Sequence, residues 1–270
     1  MSCPRPDAAA TCLITGASAG IGVEIARELA QRGYGVTLSA RRPDPLERLA
    51  EELRARHGVT AGVIPCDLRD EAQRLQLVEQ AQADGQRVDV LVNNAGLGGA
   101  GRFHRTARER ALDMVRTNIL ALVDLTRLLI EPMVARQQGA ILNVGSTAGF
   151  QPIPSEAVYS ASKAFVRNFS DALSLDLKGT GVTCTTLCPG PTRTEFAEVA
   201  GNEQLFDELP GALVADARSV AAAGVEAMLA GKRVCVPGMA NKIGAVAGGM
   251  SPRPVVLKTL ELFWPSPAHP

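Results

Sequence analysis

A chain of 270 residues that is 46% hydrophobic has the mass for a sizeable core and one large domain. Lysine plus arginine equals aspartate plus glutamate, 28 against 28, and no basic tract or tail stands out, which argues against nucleic acid as a partner. Aromatics at 4% are too few for base-stacking platforms.

The N-terminal stretch "MSCPRPDAAATCLITG" lacks the long apolar core of a signal peptide, and residues 1–10 are expected to be disordered. Apolar runs and helix-period stretches then alternate. "ATCLITG" reads as a short buried strand and "GIGVEIARELAQRG" as its helix. "GVTLSA" is a second strand followed by the helix "DPLERLAEELRARHG", and "VTAGVIPCD" a third followed by "EAQRLQLVEQAQADG". "VDVLVNNAG" is a fourth strand, trailed by two helices, "TARERALDMVRTN" and "ALVDLTRLLIEPMVARQ". "GAILNVGS" is a fifth strand, "SEAVYSASKAFVRNFSDALSLDLKG" a long helix and "VTCTTLCPG" a sixth strand. "RSVAAAGVEAMLAG" and "KRVCVPG" add one more helix and strand.

Strands alternating with helices specify an α/β fold with a doubly wound parallel sheet covered on both faces. In such a sheet the ligand site lies beyond the carboxyl ends of the strands. With no repeat or linker in view, one domain is expected over 11–240, with 241–270 as an extension of it. No uninterrupted apolar run approaches the ~18 residues of a membrane span; "ILALVDLTRLLI" is broken by Asp124, Thr126 and Arg127. Six cysteines without a Cys-x-x-Cys pair and three isolated histidines suggest neither a zinc site nor a disulfide framework. The expectation is a cytoplasmic protein with reduced thiols and no metal.

Three features carry chemistry. "TGASAGIG" places Gly16, Gly20 and Gly22 between the first strand and its helix. A glycine-rich turn lets backbone approach a pyrophosphate, and the helix N-terminus supplies free N–H groups and positive dipole. A tight turn alone would need one glycine. In "VYSASKAF", Tyr159 and Lys163 lie four apart, hence on one face if the segment is helical. A fixed ammonium there would lower a phenol pKa that is about 10 when unperturbed; a solvated surface pair is the alternative. Finally, the second strand ends "LSARRPD", with Ala40 where an NAD enzyme carries an acid for the ribose hydroxyl. Arg41 and Arg42 follow, and a guanidinium forks onto the extra phosphate of NADP(H) with no carboxylate to repel it.

In "TGASAGIG", "NNAG" (93–96), Asn118, Ser146, "YSASK" (159–163) and "PGPTRT" (189–194) the sequence resembles the short-chain dehydrogenases/reductases over almost the whole chain up to about residue 240. The resemblance implies a Rossmann-type fold and a catalytic set of Asn118, Ser146, Tyr159 and Lys163. Ser146 and Tyr159 would donate to a carbonyl oxygen while hydride is delivered to its carbon. Lys163 would tune the phenol and hold the nicotinamide ribose, and Asn118 would hold a water relaying protons to solvent. The NADP(H) site it implies takes in Gly16, Ser18, Gly20, Ile21, Gly22, Arg41, Arg42, Asp67, Leu68, Asn94, Ala95, Gly96, Tyr159, Lys163, Pro189, Gly190, Thr192 and Thr194. Asp67 is placed near the adenine amine, with a helix cap as the alternative. Asn93 and Asn94 read as fasteners of adjacent strands as much as ligand contacts. Thr192 stands where the family often has valine, a mild departure. Cys184 and Cys188 read as strand packing.

The expected function is NADP(H)-dependent interconversion of a ketone or aldehyde and an alcohol. The alternatives are a 3-oxoacyl-thioester reductase, an epimerase or dehydratase on the same scaffold, and a non-catalytic NADP-sensing protein. "LGGAGRF", "TAGFQPIPSEAV" with Phe150, Pro152, Ile153 and Pro154, and the acidic segment after "PGPTRT" should line a pocket for a neutral, fairly hydrophobic small molecule. Apolar surplus on "ALVDLTRLLIEPMV" and "SKAFVRNFSDALSLDL" points to a homo-oligomer, a dimer or tetramer.

Overall fold

Strand and helix alternate in the computed structural model, which describes residues 3–196 and 211–263, as the apolar pattern demands. The strands are β1 (Ala10–Thr15), β2 (Val36–Ser39), β3 (Ala61–Val63), β4 (Arg87–Asn93), β5 (Gly139–Val144), β6 (Val182–Leu187), β7 (Thr192–Arg193), β8 (Ala215–Asp216) and β9 (Val234–Cys235). Seven of them form one parallel sheet in the order β3-β2-β1-β4-β5-β6-β9, while β7 and β8 pair separately. The helices are α1 (Gly20–Gln31), α2 (Pro43–His57), α3 (Glu71–Ala81), α4 (Arg108–Val115), α5 (Ala121–Ala135), α6 (Ala157–Asp176), α7 (Ala217–Leu229), α8 (Met239–Met250) and α9 (Arg253–Phe263).

Successive strand residues point to opposite faces, so each strand feeds two cores. Ile14, Leu38, Val92 and Leu142 pack with Leu29 of α1, Leu53 of α2 and Val225 of α7. Leu13, Leu91 and Ile141 pack on the other face with Leu77 of α3 and Leu125 and Leu129 of α5. Strand order reverses between β1 and β4, whose register pairs Ile14 with Val92. A crevice opens at the carboxyl ends there, and it is where a parallel sheet of this kind takes its ligand.

Three expectations need correction. The N-terminal segment is held rather than disordered over residues 3–10: Cys3 and Pro4 are buried, Tyr34 donates from its hydroxyl to Pro4 O at 2.7 Å, and Asp7 pairs with Arg87 at 2.5 Å. The third strand is only three residues long; past Val63 the chain follows the end of β2 through the bonds Ile64 N to Leu38 O and Cys66 N to Ala40 O. The two helices expected after β4 are one continuous run, joined by a π-helical turn over Arg116–Leu120. The polar breaks in its second half are structural: Asp124 takes the buried Arg74 at 2.5 Å, and Thr126 accepts from Asn93. No described helix is long and apolar enough to cross a membrane.

Candidate active site

β1 delivers the chain into Gly16, at φ +67°, and α1 begins at Gly20, at φ +58°. Both are left-handed conformations that a side chain resists. Gly22 is required by packing instead, since a Cβ there would lie 2.4 Å from Gly16 O. Ala19 at the N-cap of α1 makes no side-chain capping bond, and no acid occupies the first turn. By contrast, Asp70 caps α3 and Asp216 caps α7. The first N–H groups of α1 and the positive end of its dipole therefore face the crevice without a side-chain acceptor, as a pyrophosphate requires. Ser18 is half-buried in this turn, and Ile21 packs against the core below it.

"NNAG" fastens this turn to the neighbouring strand. Asn94 Nδ2 donates to Thr15 O at 2.9 Å and Gly16 O at 3.1 Å, and the amides of Asn94 and Ala95 both donate to Thr15 Oγ1 at 3.1 Å. Asn93 Nδ2 donates to Asn143 Oδ1 at 2.9 Å, and Asn143 Nδ2 continues to Ser170 Oγ of α6 at 2.9 Å. Both asparagines are thus committed to the scaffold, while Gly96 borders the crevice. A Cβ on Gly96 would sit 3.5 Å from Asn118 Oδ1 and from Lys163 Nζ.

Ser146 follows β5 and Tyr159 lies in the first turn of α6, thirteen residues on. Lys163, one turn further, is buried and donates to Val144 O at 2.8 Å; its Nζ stands 5.8 Å from the centre of the Tyr159 ring. Burial pulls its pKa down to about 8. Burial pushes the Tyr159 phenol up to about 12, against the pull of the Ser146 hydroxyl and with a smaller push from Glu156. This differs from the sequence expectation that the lysine would lower the phenol: desolvation outweighs a partner turned to the Val144 carbonyl. Phe196 covers the phenol, its ring centroid 5.6 Å from that of Tyr159.

Asn118 sits in the π turn, a widened turn common at functional sites. Its side chain makes three hydrogen bonds. Oδ1 accepts from Leu97 N at 2.8 Å, and Nδ2 donates to Leu97 O at 2.9 Å and Ser162 Oγ at 3.0 Å. The amide clamps the loop after β4 to α6.

Arg41 and Arg42, the residues expected to take the extra phosphate, are exposed at the end of β2 and the start of α2. A carboxylate does stand here, contrary to the sequence reading: Glu195 Oε2 lies 3.1 Å from Arg42 Nη2. Asp67 is held by Arg69, whose Nε lies 2.9 Å from Oδ1, and these bonds keep its carboxyl below the usual range. It caps no helix; Asp70 does that for α3. Leu68 points into the core, leaving only its backbone for a ligand.

The turn after β6 closes the far side. Pro189 O accepts from Thr147 N at 2.8 Å, Gly190 O accepts from Thr192 Oγ1 at 2.9 Å, and the Thr194 side chain lies against Gly20. Cys184 and Cys188 are buried, with burial raising both thiols to about 12. Asn241 of α8 was not singled out from the sequence. It is buried, its amide occupies the space a Gly190 Cβ would need, and Nδ2 donates to Leu213 O at 3.2 Å. Phe150, expected on the pocket wall, instead lies under the Arg167 guanidinium at 4.6 Å and beside Gly249 of α8. Most of the expected lid, residues 197–210, lies outside the described residues. No cluster able to hold a metal occurs among the described residues.

A family model for short chain dehydrogenases matches residues 10–205. The chain is 41% identical over 180 residues to ketoacyl reductase HetN of Nostoc, a stretch covering 67% of this chain and 62% of that protein. It is 40% identical over 189 residues to the NADP-dependent 3-hydroxy acid dehydrogenase YdfG of Escherichia coli, covering 69% of this chain and 75% of the relative. A solved short-chain dehydrogenase from Sphingobium yanoikuyae in complex with NADPH superposes with a TM-score of 0.80 at 30% identity, over 96% of this chain and 98% of that one. This chain belongs to the short-chain dehydrogenase family.

Proposed function

We propose that the protein is an NADP(H)-dependent oxidoreductase interconverting a carbonyl and an alcohol. The observation that carries the reading is the convergence of Ser146, Tyr159 and Lys163 beside Gly96, across the crevice from an uncapped α1. The residues fit the dinucleotide: the glycine turn and free N–H groups suit its pyrophosphate, Arg41 and Arg42 its extra phosphate, and Lys163 its nicotinamide ribose. When bound, the nicotinamide supplies or accepts the hydride. Ser146 donates to the carbonyl oxygen and orients it. Tyr159 gives that oxygen a proton as it gains charge. With the phenol near 12 and Lys163 near 8, the pair stands as phenol and ammonium around neutral pH, the form reduction needs. The Lys163 ammonium then stabilises the phenolate left behind.

The substrate is a neutral, fairly hydrophobic ketone or secondary alcohol, read from the few charges in "TAGFQPIPSEAV" and the acidity of the segment after Thr194. The rival is a 3-oxoacyl or hydroxy-acid substrate, the class printed in the names of the Nostoc and E. coli relatives. NADPH consumption over a panel of cyclic, aryl and long-chain ketones against acetoacetyl thioesters and keto acids decides. A thioester turned over tenfold more efficiently than every neutral ketone would reverse the assignment. Six free thiols suit the reducing cytoplasm. The protein assembles as a dimer or tetramer through α5 and α6, where Phe165 of α6 and Leu120, in the π turn leading into α5, are exposed.

A further inference from the structure

Two segments that meet beside the cofactor crevice come from opposite ends of the fold. Arg42 precedes α2, and Glu195 follows β7, 153 residues later. Their side chains pair at 3.1 Å. The contact is not an isolated surface meeting, because the residue before Glu195 is seated on the glycine turn: a Cβ on Gly20 would come within 3.1 Å of Thr194 Cβ and Cγ2. The chain from Thr192 to Glu195 therefore lies over the crevice mouth and delivers a carboxylate to the arginine pair. Beside Arg42, at the start of α2, is an open cavity lined by Arg41, Arg42 and Arg48 together with Asp44. Three guanidiniums and one carboxylate border it, and one of the guanidiniums, that of Arg42, is already engaged by Glu195.

We propose that Glu195 is a specificity-determining residue that lowers the affinity for the phosphorylated cofactor by occupying Arg42. The proposal rests on the NADP(H) reading above. A carboxylate and a phosphate dianion repel each other at one guanidinium, so the phosphate either displaces Glu195 or binds against its charge. Each route subtracts from NADPH affinity and leaves NADH, which has a hydroxyl at that position, unaffected. Both side chains are more than half exposed, at 58% and 57%, so solvent screens the pair and the effect is modest. The device keeps the phosphorylated cofactor exchangeable, since what Arg42 gains from the phosphate is offset by what it gives up from Glu195.

The experiment titrates NADPH and NADH into the full chain by nicotinamide fluorescence, using wild type, Glu195→Gln, Arg42→Gln and the double variant. Glu195→Gln keeps the shape and removes the charge. It should tighten NADPH about two- to fivefold at low ionic strength, the range of an exposed ion pair, with NADH unchanged. The gain should shrink in molar salt and vanish when Arg42 is already Gln. If wild type binds NADPH no tighter than NADH, the cofactor reading itself fails. If NADPH is preferred but Glu195→Gln leaves it unchanged, weakens it, or tightens both cofactors alike, the Glu195 proposal is overturned and the cofactor reading stands.

Discussion

The Lys163 ammonium donates to the Val144 carbonyl at 2.8 Å while standing 5.8 Å from the centre of the Tyr159 ring. The strand end thus fixes the position of the charge beside the phenol. Because burial depresses Lys163 to about 8, its ammonium is lost within the range an assay can reach. The sign follows directly. Below about pH 8 the lysine is charged and reduction is supported; above it, the charge that stabilises the tyrosinate disappears while the phenol is still protonated. Ketone reduction at saturating NADPH should therefore plateau around neutral pH and decline above pH 8. Lys163→Met should remove the plateau altogether. A wild-type profile that stays level well above pH 8 would show that Lys163 does not titrate in the cycle.

Tyr159 can be tested without disturbing shape. Tyr159→Phe keeps the ring that packs against Phe196 and deletes only the proton donor. Loss of a positioned general acid costs at least about a hundredfold in turnover. NADPH binding, read by fluorescence, should persist. Near-normal turnover in this variant would remove Tyr159 from the mechanism.

Much of this architecture is legible in the sequence because it is written in local patterns. Apolar strands bounded by glycine gave the sheet, and the glycines before α1 and the Tyr159–Lys163 spacing gave the crevice. What stayed hidden depends on contacts between distant segments. Asn241 belongs to no motif, and its role appears only when α8 folds back onto Gly190. Glu195 reaches Arg42 only because Thr194 docks on the glycine turn. The phenol's raised pKa was hidden for a different reason: spacing reports that two groups are neighbours, not how much water each has lost.

The buried amide chain from Asn93 through Asn143 to Ser170 joins β4, β5 and α6 beneath the site. Asn143 is fully buried, so truncating it leaves one N–H of the Asn93 amide without its acceptor in a dry interior, while Ser170 keeps its own bond to Val166 O. An orphaned buried polar group costs about 1–3 kcal/mol. Asn143→Ala should lower the unfolding free energy in urea by about that amount, with the m-value unchanged. A variant as stable as wild type would mean that water replaces the lost amide.

Gly190 and Asn241 make a reciprocal prediction. A Cβ at 190 would lie 2.3 Å from Asn241 Oδ1, a distance no packed pair sustains. Gly190→Ala should push the turn after β6 away from α8 and raise the KM for NADPH. Adding Asn241→Ala empties the space the new methyl needs and should recover much of the loss. The two changes should therefore be strongly non-additive, as expected for side chains competing for one volume. If Asn241→Ala merely adds its own defect, the turn is displaced by something other than this clash.

The outer faces of α5 and α6 carry the assembly prediction. Leu120 in the π turn is 49% exposed, Phe165 is 38% exposed, and Phe165 stacks on Phe169 with ring centroids 5.8 Å apart. Leu175, further along α6, is 49% exposed as well. Large side chains scattered singly over a surface are ordinary, but Phe165 forms a stacked pair with Phe169 one turn along the same helix, and an exposed apolar patch of this kind marks an interface. An isologous dimer would bury each such residue twice, once per copy, around a two-fold axis. Phe165→Glu places a charge at the centre of that contact while leaving the Tyr159 and Lys163 face of the helix untouched. Light scattering at micromolar concentration should give a dimer or tetramer mass for wild type and a smaller species for the variant. A wild-type mass of one chain would refute the assembly, and a variant that keeps the wild-type mass would move the interface off α6.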